Sequence, residues 1–318
     1  MTNPIVFTFL ESSRWQDYAL LDSGDGLKLE RFGKYVFVRP ESQAMWKRSL
    51  DAEWKQAHAV FQPTGEESGG HWDFKKKVEE KWEMQYPLTP DPSPRFVSAG
   101  APRSAKGRGE LRFWVMTTPG RHLGVFPEVA AHWDWFSELI TQSKREINVL
   151  NLFGYTGLAT LATAAAGAKV THVDASKKSV SWARDNQALS NLTEKPIRWI
   201  VDDALKFVQR EARRGVKYDG IILDPPKFGR GPKGEVWEVY KSVPDLLSAC
   251  RECLSKDPLF VVTTLYAVRA SAIHVAQAME DMMAGFVGKV EMGELVTREQ
   301  SAGRLLSQAV YARWERKV

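Results

Sequence analysis

Val149-Leu150-Asn151-Leu152-Phe153-Gly154-Tyr155-Thr156-Gly157 is the stretch from which the rest of the chain can be read. An apolar run passes into a glycine-bearing turn, and an alanine-rich helix pattern follows it. Strand, turn and helix in that order open a parallel α/β unit. Glycine there lets backbone approach a ligand closely, and the helix N-terminus beyond it favours a negative group such as a carboxylate. Glycines also serve simple tight turns, so by itself this stretch speaks for fold class more than for a ligand.

Working outward, further strands are expected at 168–174, 197–202, 218–223 and 259–264, besides 147–153 itself, with helical stretches between them. Parallel strands joined by crossover helices bury runs such as Ile221-Ile222-Leu223 on both faces. Upstream, Leu111 to Thr118 reads as a strand, and Val129, Trp133, Phe136 and Ile140 recur at helical spacing. Downstream, 288–296 and 307–315 leave little room for a helix between them, which predicts an antiparallel hairpin at the sheet's edge. There is no internal repeat.

Residues 1–90 differ in texture and are expected to form a small β-rich domain. Asp22-Ser23-Gly24-Asp25-Gly26 precedes the β-type run Tyr35-Val36-Phe37-Val38, which suggests hairpins. Trp15, Trp46, Trp54 and Trp72 are read as core aromatics rather than a stacking surface. Residues 91–110 carry no periodic apolar pattern and are expected to be a flexible linker or loop ahead of a catalytic domain at 111–318. Between Asp91 and Arg112 stand five basic residues against two acidic ones.

Composition narrows the class. With 43% hydrophobic and 26% charged residues among 318, the chain can build an ordinary globular core. No apolar run approaches the roughly 18 residues of a membrane span, and Met1 to Trp15 lacks the pattern of a secretory leader. Two cysteines exclude a disulfide framework and fit a reducing cytoplasm. A net charge of +5 mildly favours polyanionic partners.

Three more clusters fall at strand ends, where open α/β sheets bind ligands. Asp174, 17 residues beyond Gly157, ends one strand and suits the two hydroxyls of a ribose; capping of the next helix is the simpler alternative. Asp202-Asp203-Ala204 ends the next strand, where a carboxylate can accept from an adenine amino group or cap a helix. Asp224-Pro225-Pro226-Lys227-Phe228 is the most specific cluster. Its prolines hold the backbone extended and remove two donors, leaving carbonyls to accept. Beside a sulfonium, those carbonyls and Asp224 suit the orientation of an amine or base, with Phe228 stacking on it.

Together these residues resemble the class I S-adenosylmethionine-dependent methyltransferases. The acidic-x-Gly-x-Gly-x-Gly motif usual there stands here as Asn151-x-Phe153-x-Tyr155-x-Gly157. With Asp224-Pro-Pro-Lys-Phe228, that variant is similar to the bacterial large-subunit ribosomal-RNA cytosine methyltransferase family and its relatives. The likeness runs from about Leu111 to the C-terminus and includes Gly124-Val125-Phe126-Pro127-Glu128, similar to a Gly-Phe-Phe-Leu-Asp stretch that helps line the cofactor site in that family. The resemblance implies a Rossmann-like α/β fold with a seven-stranded sheet. It implies a pocket for S-adenosylmethionine formed by Phe126, Asn151, Phe153, Gly154, Tyr155, Thr156, Gly157, Asp174, Ala175, Asp203, Ala204 and Asp224. Asp224, Pro225, Pro226 and Phe228 would form the catalytic group, with no metal. RNA, ribosomal RNA first, is the implied substrate.

The resemblance breaks at one mechanistic point. Methylation of cytosine carbon 5 needs a cysteine nucleophile, which in that family follows the fifth strand. Here that segment reads Val262-Thr263-Thr264-Leu265-Tyr266-Ala267. The first 90 residues also do not look like that family's RNA-binding domain. The cofactor site carries over; the cytosine-carbon reaction does not. A nitrogen acceptor on a base suits the missing thiol, while a small molecule or protein side chain stays open. Cys250 and Cys253 lie within a helix pattern, Ser242 to Leu254, and are expected to pack rather than bind zinc; His122 and His132 are expected to be surface or core residues rather than general bases. Two rival readings are a nicotinamide-dependent oxidoreductase, which leaves Asp224-Pro-Pro-Lys-Phe228 without a reason, and a non-catalytic RNA-binding module.

Overall fold

The computed structural model describes residues 6–64, 69–88 and 109–317. The first strand, β1 (Val6–Glu11), stands apart from those that follow it. β2 (Tyr18–Gly24), β3 (Leu27–Phe32) and β4 (Tyr35–Pro40) form an antiparallel meander, whose expected first hairpin closes at Asp25-Gly26. After the one-turn helix α1 (Asp51–Trp54), β5 (Ala59–Pro63) pairs in parallel with β4, and β6 (Gly70–Phe74) folds back on β5. The four tryptophans are packing residues, as expected. Trp54 is buried and the others half-buried, and their indole N–H groups donate to Pro127 O, Ser23 O, Asp22 Oδ2 and Thr118 O in chain order.

β7 (Trp82–Pro87) pairs antiparallel with β8 (Glu110–Val115), and Leu88 N donates to Gly109 O just beyond. The segment expected as a linker at 91–110 therefore connects the two strands of one hairpin; all of it but Gly109 and Glu110 lies outside the described residues. The boundary read at residue 90 falls inside that hairpin. One apolar cluster runs from Phe32, Phe37 and Trp82 through Phe113 and Trp133 to Val149 and Ile222, so the chain before and after it shares a core.

A 3-10 turn at Pro127–Val129 leads into α2 (Ala130–Gln142), which buries Trp133, Phe136 and Ile140 as their spacing predicts. Strand and helix then alternate: β9 (Asn148–Leu152), α3 (Leu158–Ala165), β10 (Lys169–Asp174), α4 (Lys177–Leu189), β11 (Ile197–Val201), α5 (Ala204–Arg213) and β12 (Gly220–Leu223). A short hairpin of β13 (Phe228–Arg230) and β14 (Val236–Glu238) precedes α6 (Val239–Glu252), β15 (Phe260–Tyr266), α7 (Ala272–Met283), β16 (Gly288–Arg298) and β17 (Leu305–Arg316).

Hydrogen bonding orders the large sheet β1-β16-β17-β15-β12-β9-β10-β11. β17 runs antiparallel to its two neighbours, and the other pairs are parallel. Ile221, Ile222 and Leu223 are buried on both faces of this sheet. The seven strands β9 to β12 and β15 to β17 are those expected. β1 adds an eighth, which corrects the position of the β16–β17 hairpin: it lies one strand in from the edge. Val6 stands opposite Glu291 in a parallel register. Gly293 makes that pairing feasible, because any side chain there would meet the Thr8 carbonyl. Strand order reverses at β9, with β10 on one side and β12 on the other, so a crevice opens above their carboxyl ends.

Candidate active site

A cavity of about 1060 Å³ occupies that crevice. β9 enters it through Phe153 (φ 61°) and Tyr155 (φ 48°), both in the left-handed region. That conformation costs a residue with a side chain about 1–2 kcal/mol. At two positions where the resembling family has glycine, this chain keeps a glycine-like backbone and adds a ring. Phe153 packs on Trp237 at 4.9 Å, and Tyr155 on Phe126 at 5.9 Å and Trp182 at 6.3 Å, so packing offsets the strain. Asn151, buried on β9, donates from Nδ2 to Thr160 Oγ1 at 2.8 Å, which lies 2.9 Å from His172 Nδ1.

All the residues expected at the site line the cavity except Gly157. Gly157 caps α3 at φ 84°, and a Cβ there would stand 2.7 Å from that of Ala183. Its contribution is to bring α3 against α4, and through them to hold the loop.

Asp174 ends β10 with one carboxylate oxygen accepting from Tyr155 N at 2.9 Å and the other from Ser176 N at 2.8 Å. Burial raises its carboxyl above the usual range, and those two N–H groups oppose the shift. The alternative of Asp174 capping the next helix does not hold: Ser176 caps α4, accepting from Ser179 N. Asp203, by contrast, does cap α5, accepting from Lys206 N at 2.9 Å, while it also lines the cavity. The helix-capping reading of that residue holds, and its place on the cavity wall leaves the adenine reading open. Asp202 is tied to Arg210 and does not line the cavity.

Asp224, at the tip of β12, is half-buried on the cavity wall. Loss of hydration, with the nearby charge of Glu128, raises its carboxyl to about 8. The Pro226 carbonyl accepts from Trp237 Nε1 at 2.7 Å, which leaves one of its two lone pairs for a ligand. Phe228, 53% exposed, stands on the rim where β13 begins.

Several lining residues escaped the sequence reading. Glu128 is buried, and desolvation raises its carboxyl against the opposing pull of Lys28 and Arg39. Tyr266, at the end of β15, reaches toward Glu128, yet its buried hydroxyl closes no hydrogen bond of ordinary geometry. The signal for Glu128 was a lone acid in the run Val125-Phe126-Pro127-Glu128-Val129-Ala130. Lys28 and Arg39 come from β3 and β4, so the N-terminal sheet forms one wall of the cavity. Arg39 grips Glu30 through two bonds of 2.7 and 2.8 Å, and Lys28 Nζ donates to Gln308 Oε1 at 2.9 Å.

Burial, with the nearby cations Arg39 and Arg121, pushes His122 down to about 3; burial and Arg313 push the enclosed His132 down similarly. Both are neutral near pH 7, and both line the cavity. Cys250 and Cys253 are buried at the end of α6 and do not line the cavity. Burial raises both thiols, and among the described residues no cluster suits a metal ion.

A solved structure of a SAM-dependent methyltransferase from Agrobacterium tumefaciens is 44% identical to this chain, with a TM-score of 0.87, over 100% of this chain and 98% of that one. The chain belongs to the S-adenosylmethionine-dependent methyltransferases. Its cofactor is S-adenosylmethionine, which displaces the nicotinamide reading. A methyltransferase structure from Streptococcus mutans shares the fold at 17% identity and a TM-score of 0.66, over 95% of this chain and 76% of that one. Two curated relatives are named ribosomal RNA large subunit methyltransferase K/L. The one from Shewanella frigidimarina is 34% identical over 120 residues, and the one from Shewanella baltica 37% over 119. Each match covers 37% of this chain, which spans about one sixth of those relatives' length (17% and 16%). No family model matches the methyltransferase.

The residues present fit the cofactor. Asp174 is held by one backbone N–H on each oxygen and keeps lone pairs on both for a pair of vicinal hydroxyls. At about 1060 Å³ the cavity lies at the upper end of the roughly 300–1,000 Å³ of small-molecule sites, ample for the cofactor.

Proposed function

We propose that this methyltransferase modifies RNA, ribosomal RNA first, at a nitrogen of a base. The observation that carries the reading is the composition of the cavity's open side. Phe228 projects from the rim, Arg121, Lys227 and Arg230 stand among the lining residues, and no thiol does. An exposed ring flanked by cations suits a single-stranded base and its phosphates. The absence of a thiol among the described lining residues leaves nothing to add to carbon 5 of a pyrimidine. The names of the partial relatives support the same substrate class.

S-adenosylmethionine supplies a methyl group already activated on sulfur, so the chain's part is alignment and exclusion of water. In this reading Asp174 accepts from the ribose hydroxyls, while Asp203 and Ala204 flank the adenine. Phe126 and Tyr155 close the apolar side. Asp224 and the Pro225 carbonyl orient the acceptor's N–H, and Phe228 stacks on its ring.

The test is mass spectrometry of ribosomal RNA from a strain lacking this chain, paired with methylation of that RNA by the purified enzyme. One base should lose a methyl group in the strain and regain it in vitro. An RNA modification profile identical to the parent's, with no incorporation in vitro, contradicts the RNA reading. Small-molecule and protein acceptors would then come first. Among the described residues no helix is long and apolar enough to cross a membrane, which accords with work on RNA in the cytoplasm.

A further inference from the structure

Three successive residues of β10 hold the turn that follows β9. Val173 O accepts from Gly154 N at 3.0 Å, Asp174 accepts from Tyr155 N at 2.9 Å, and the His172 ring lies against Gly154. Gly154 has no positive φ, so its backbone does not demand glycine. The ring does: a Cβ at 154 would stand 2.4 Å from both Cε1 and Nδ1 of His172. That imidazole is fully buried and packs 4.7 Å from the Trp199 ring, so it cannot swing aside. A hydrogen-bond chain joins it to the start of the turn. Asn151 Nδ2 donates to Thr160 Oγ1 at 2.8 Å, and that hydroxyl keeps its own hydrogen for His172 Nδ1 at 2.9 Å. Burial alone pushes the imidazole down to about 3, so it stays neutral and able to accept. Its Nε2 finds no partner among the described residues, which makes it costlier than a leucine as mere core filling. Phe153 and Tyr155, on either side of Gly154, hold left-handed φ values that need support from outside the turn. His172 and Thr160 do not line the cavity, whereas Asn151 and the turn do.

We infer that His172 is a positioning residue for methyl transfer: its ring and its bond to Thr160 hold the turn from Phe153 to Tyr155 in the form that receives S-adenosylmethionine. The inference rests on the proposed cofactor pocket and goes beyond it, because His172 acts on the ligand only through the turn. Glycine at 154 is then set by the ring against it rather than by the approach of a ligand. The amide at 151 follows from the same chain, since Asn151 donates to Thr160 and a carboxylate in its place has no hydrogen to give.

Calorimetric titration of the full chain with S-adenosylmethionine, and with 5′-methylthioadenosine as a probe lacking the amino-acid end, reads the affinity. Thermal unfolding reads the fold. His172→Leu and His172→Asn share the branch at Cγ, but only Asn offers an acceptor where Nδ1 stood. The Leu variant should fold at least as stably as the Asn variant and yet bind S-adenosylmethionine about ten-fold more weakly than wild type. The Asn variant, smaller and less stable, should stay within about three-fold of wild type. Affinity and stability thus move in opposite order, which a purely structural role would not produce. A second pair of variants tests the contact with the turn. Gly154→Ala should weaken binding by about ten-fold or more in wild type, and by less than about three-fold once His172 is already Ala. Equal cost of Gly154→Ala in the two backgrounds overturns the inference and leaves the cofactor pocket standing. So does wild-type affinity in His172→Leu, or a loss in His172→Asn as large as that in His172→Leu. Failure of wild-type protein to bind either ligand would overturn the pocket itself, and the inference with it.

Discussion

Replacing Asp174 probes the pocket where its geometry is best defined. Each carboxylate oxygen already takes one backbone N–H, from Tyr155 and Ser176, and each retains a lone pair for a ribose hydroxyl. Asn keeps the shape but turns one acceptor into a donor. One ribose hydroxyl then loses its acceptor, and one backbone N–H faces an amide hydrogen. A lost hydrogen bond to a charged group is worth about 1.5–3 kcal/mol. Asp174→Asn should therefore weaken S-adenosylmethionine binding by roughly 10- to 150-fold. Because adenosine is common to both ligands, 5′-methylthioadenosine should weaken by a similar factor. Asp174→Ala leaves both N–H groups without a partner, one at the cap of α4 and one in the loop that holds Phe153 and Tyr155 at positive φ, so it should lower thermal stability as well. Fluorescence or calorimetric titration of both ligands reads the affinities, and thermal unfolding reads the fold. A change below about 3-fold in a folded Asn variant would refute the ribose assignment. So would a loss confined to S-adenosylmethionine.

Other expectations follow from the same geometry. Asp224 titrates at about 8 when folded, well above an exposed aspartate, so the folded state holds its proton where the unfolded chain has lost it. Its contribution makes stability fall as pH rises toward 8, whereas the buried histidines, still partly charged in the unfolded chain up to about pH 7.5, contribute the opposite slope below that pH. Between about pH 7.5 and 8.5 the midpoint of thermal unfolding should decline in ligand-free protein, and Asp224→Asn should flatten that decline; equal slopes would argue against a protonated Asp224. Gly157→Ala adds a Cβ at φ 84° and 2.7 Å from that of Ala183. It should cost about 2–4 kcal/mol in urea unfolding, and a neutral outcome would mean that α3 and α4 are less tightly packed there. Phe228→Ala should raise KM for RNA several-fold and leave S-adenosylmethionine affinity alone, since the ring stands on the rim; loss of cofactor affinity would move Phe228 inside the pocket.

Much of the site was legible because it depends on local chemistry. A strand tip that must present a carboxylate leaves an Asp after an apolar run, as at Asp174 and Asp224. A strand-to-helix turn leaves Gly154 and Gly157. What escaped depends on contacts distant in sequence. Val6 meets Glu291 across nearly the whole chain, and nothing local to either residue announces that pairing. Lys28 and Arg39 read as ordinary strand residues until the N-terminal sheet closes over the crevice. Glu128 and Tyr266 acquire meaning only when α2 and β15 bring them together beside Asp224. The bond from Trp237 to the Pro226 carbonyl was hidden because Trp237 arrives on a separate strand, β14. The positive φ at Phe153 and Tyr155 was equally hidden, since aromatic residues rarely adopt it and only their packing on Trp237, Phe126 and Trp182 makes it tenable.

The most direct test of the account is a co-crystal structure with S-adenosylhomocysteine. The ribose should lie against Asp174, the adenine beside Asp203 and Ala204, and the sulfur should point toward Asp224. Ligand bound at another surface, or a crevice closed by its own side chains with Asp174 facing solvent, would contradict it.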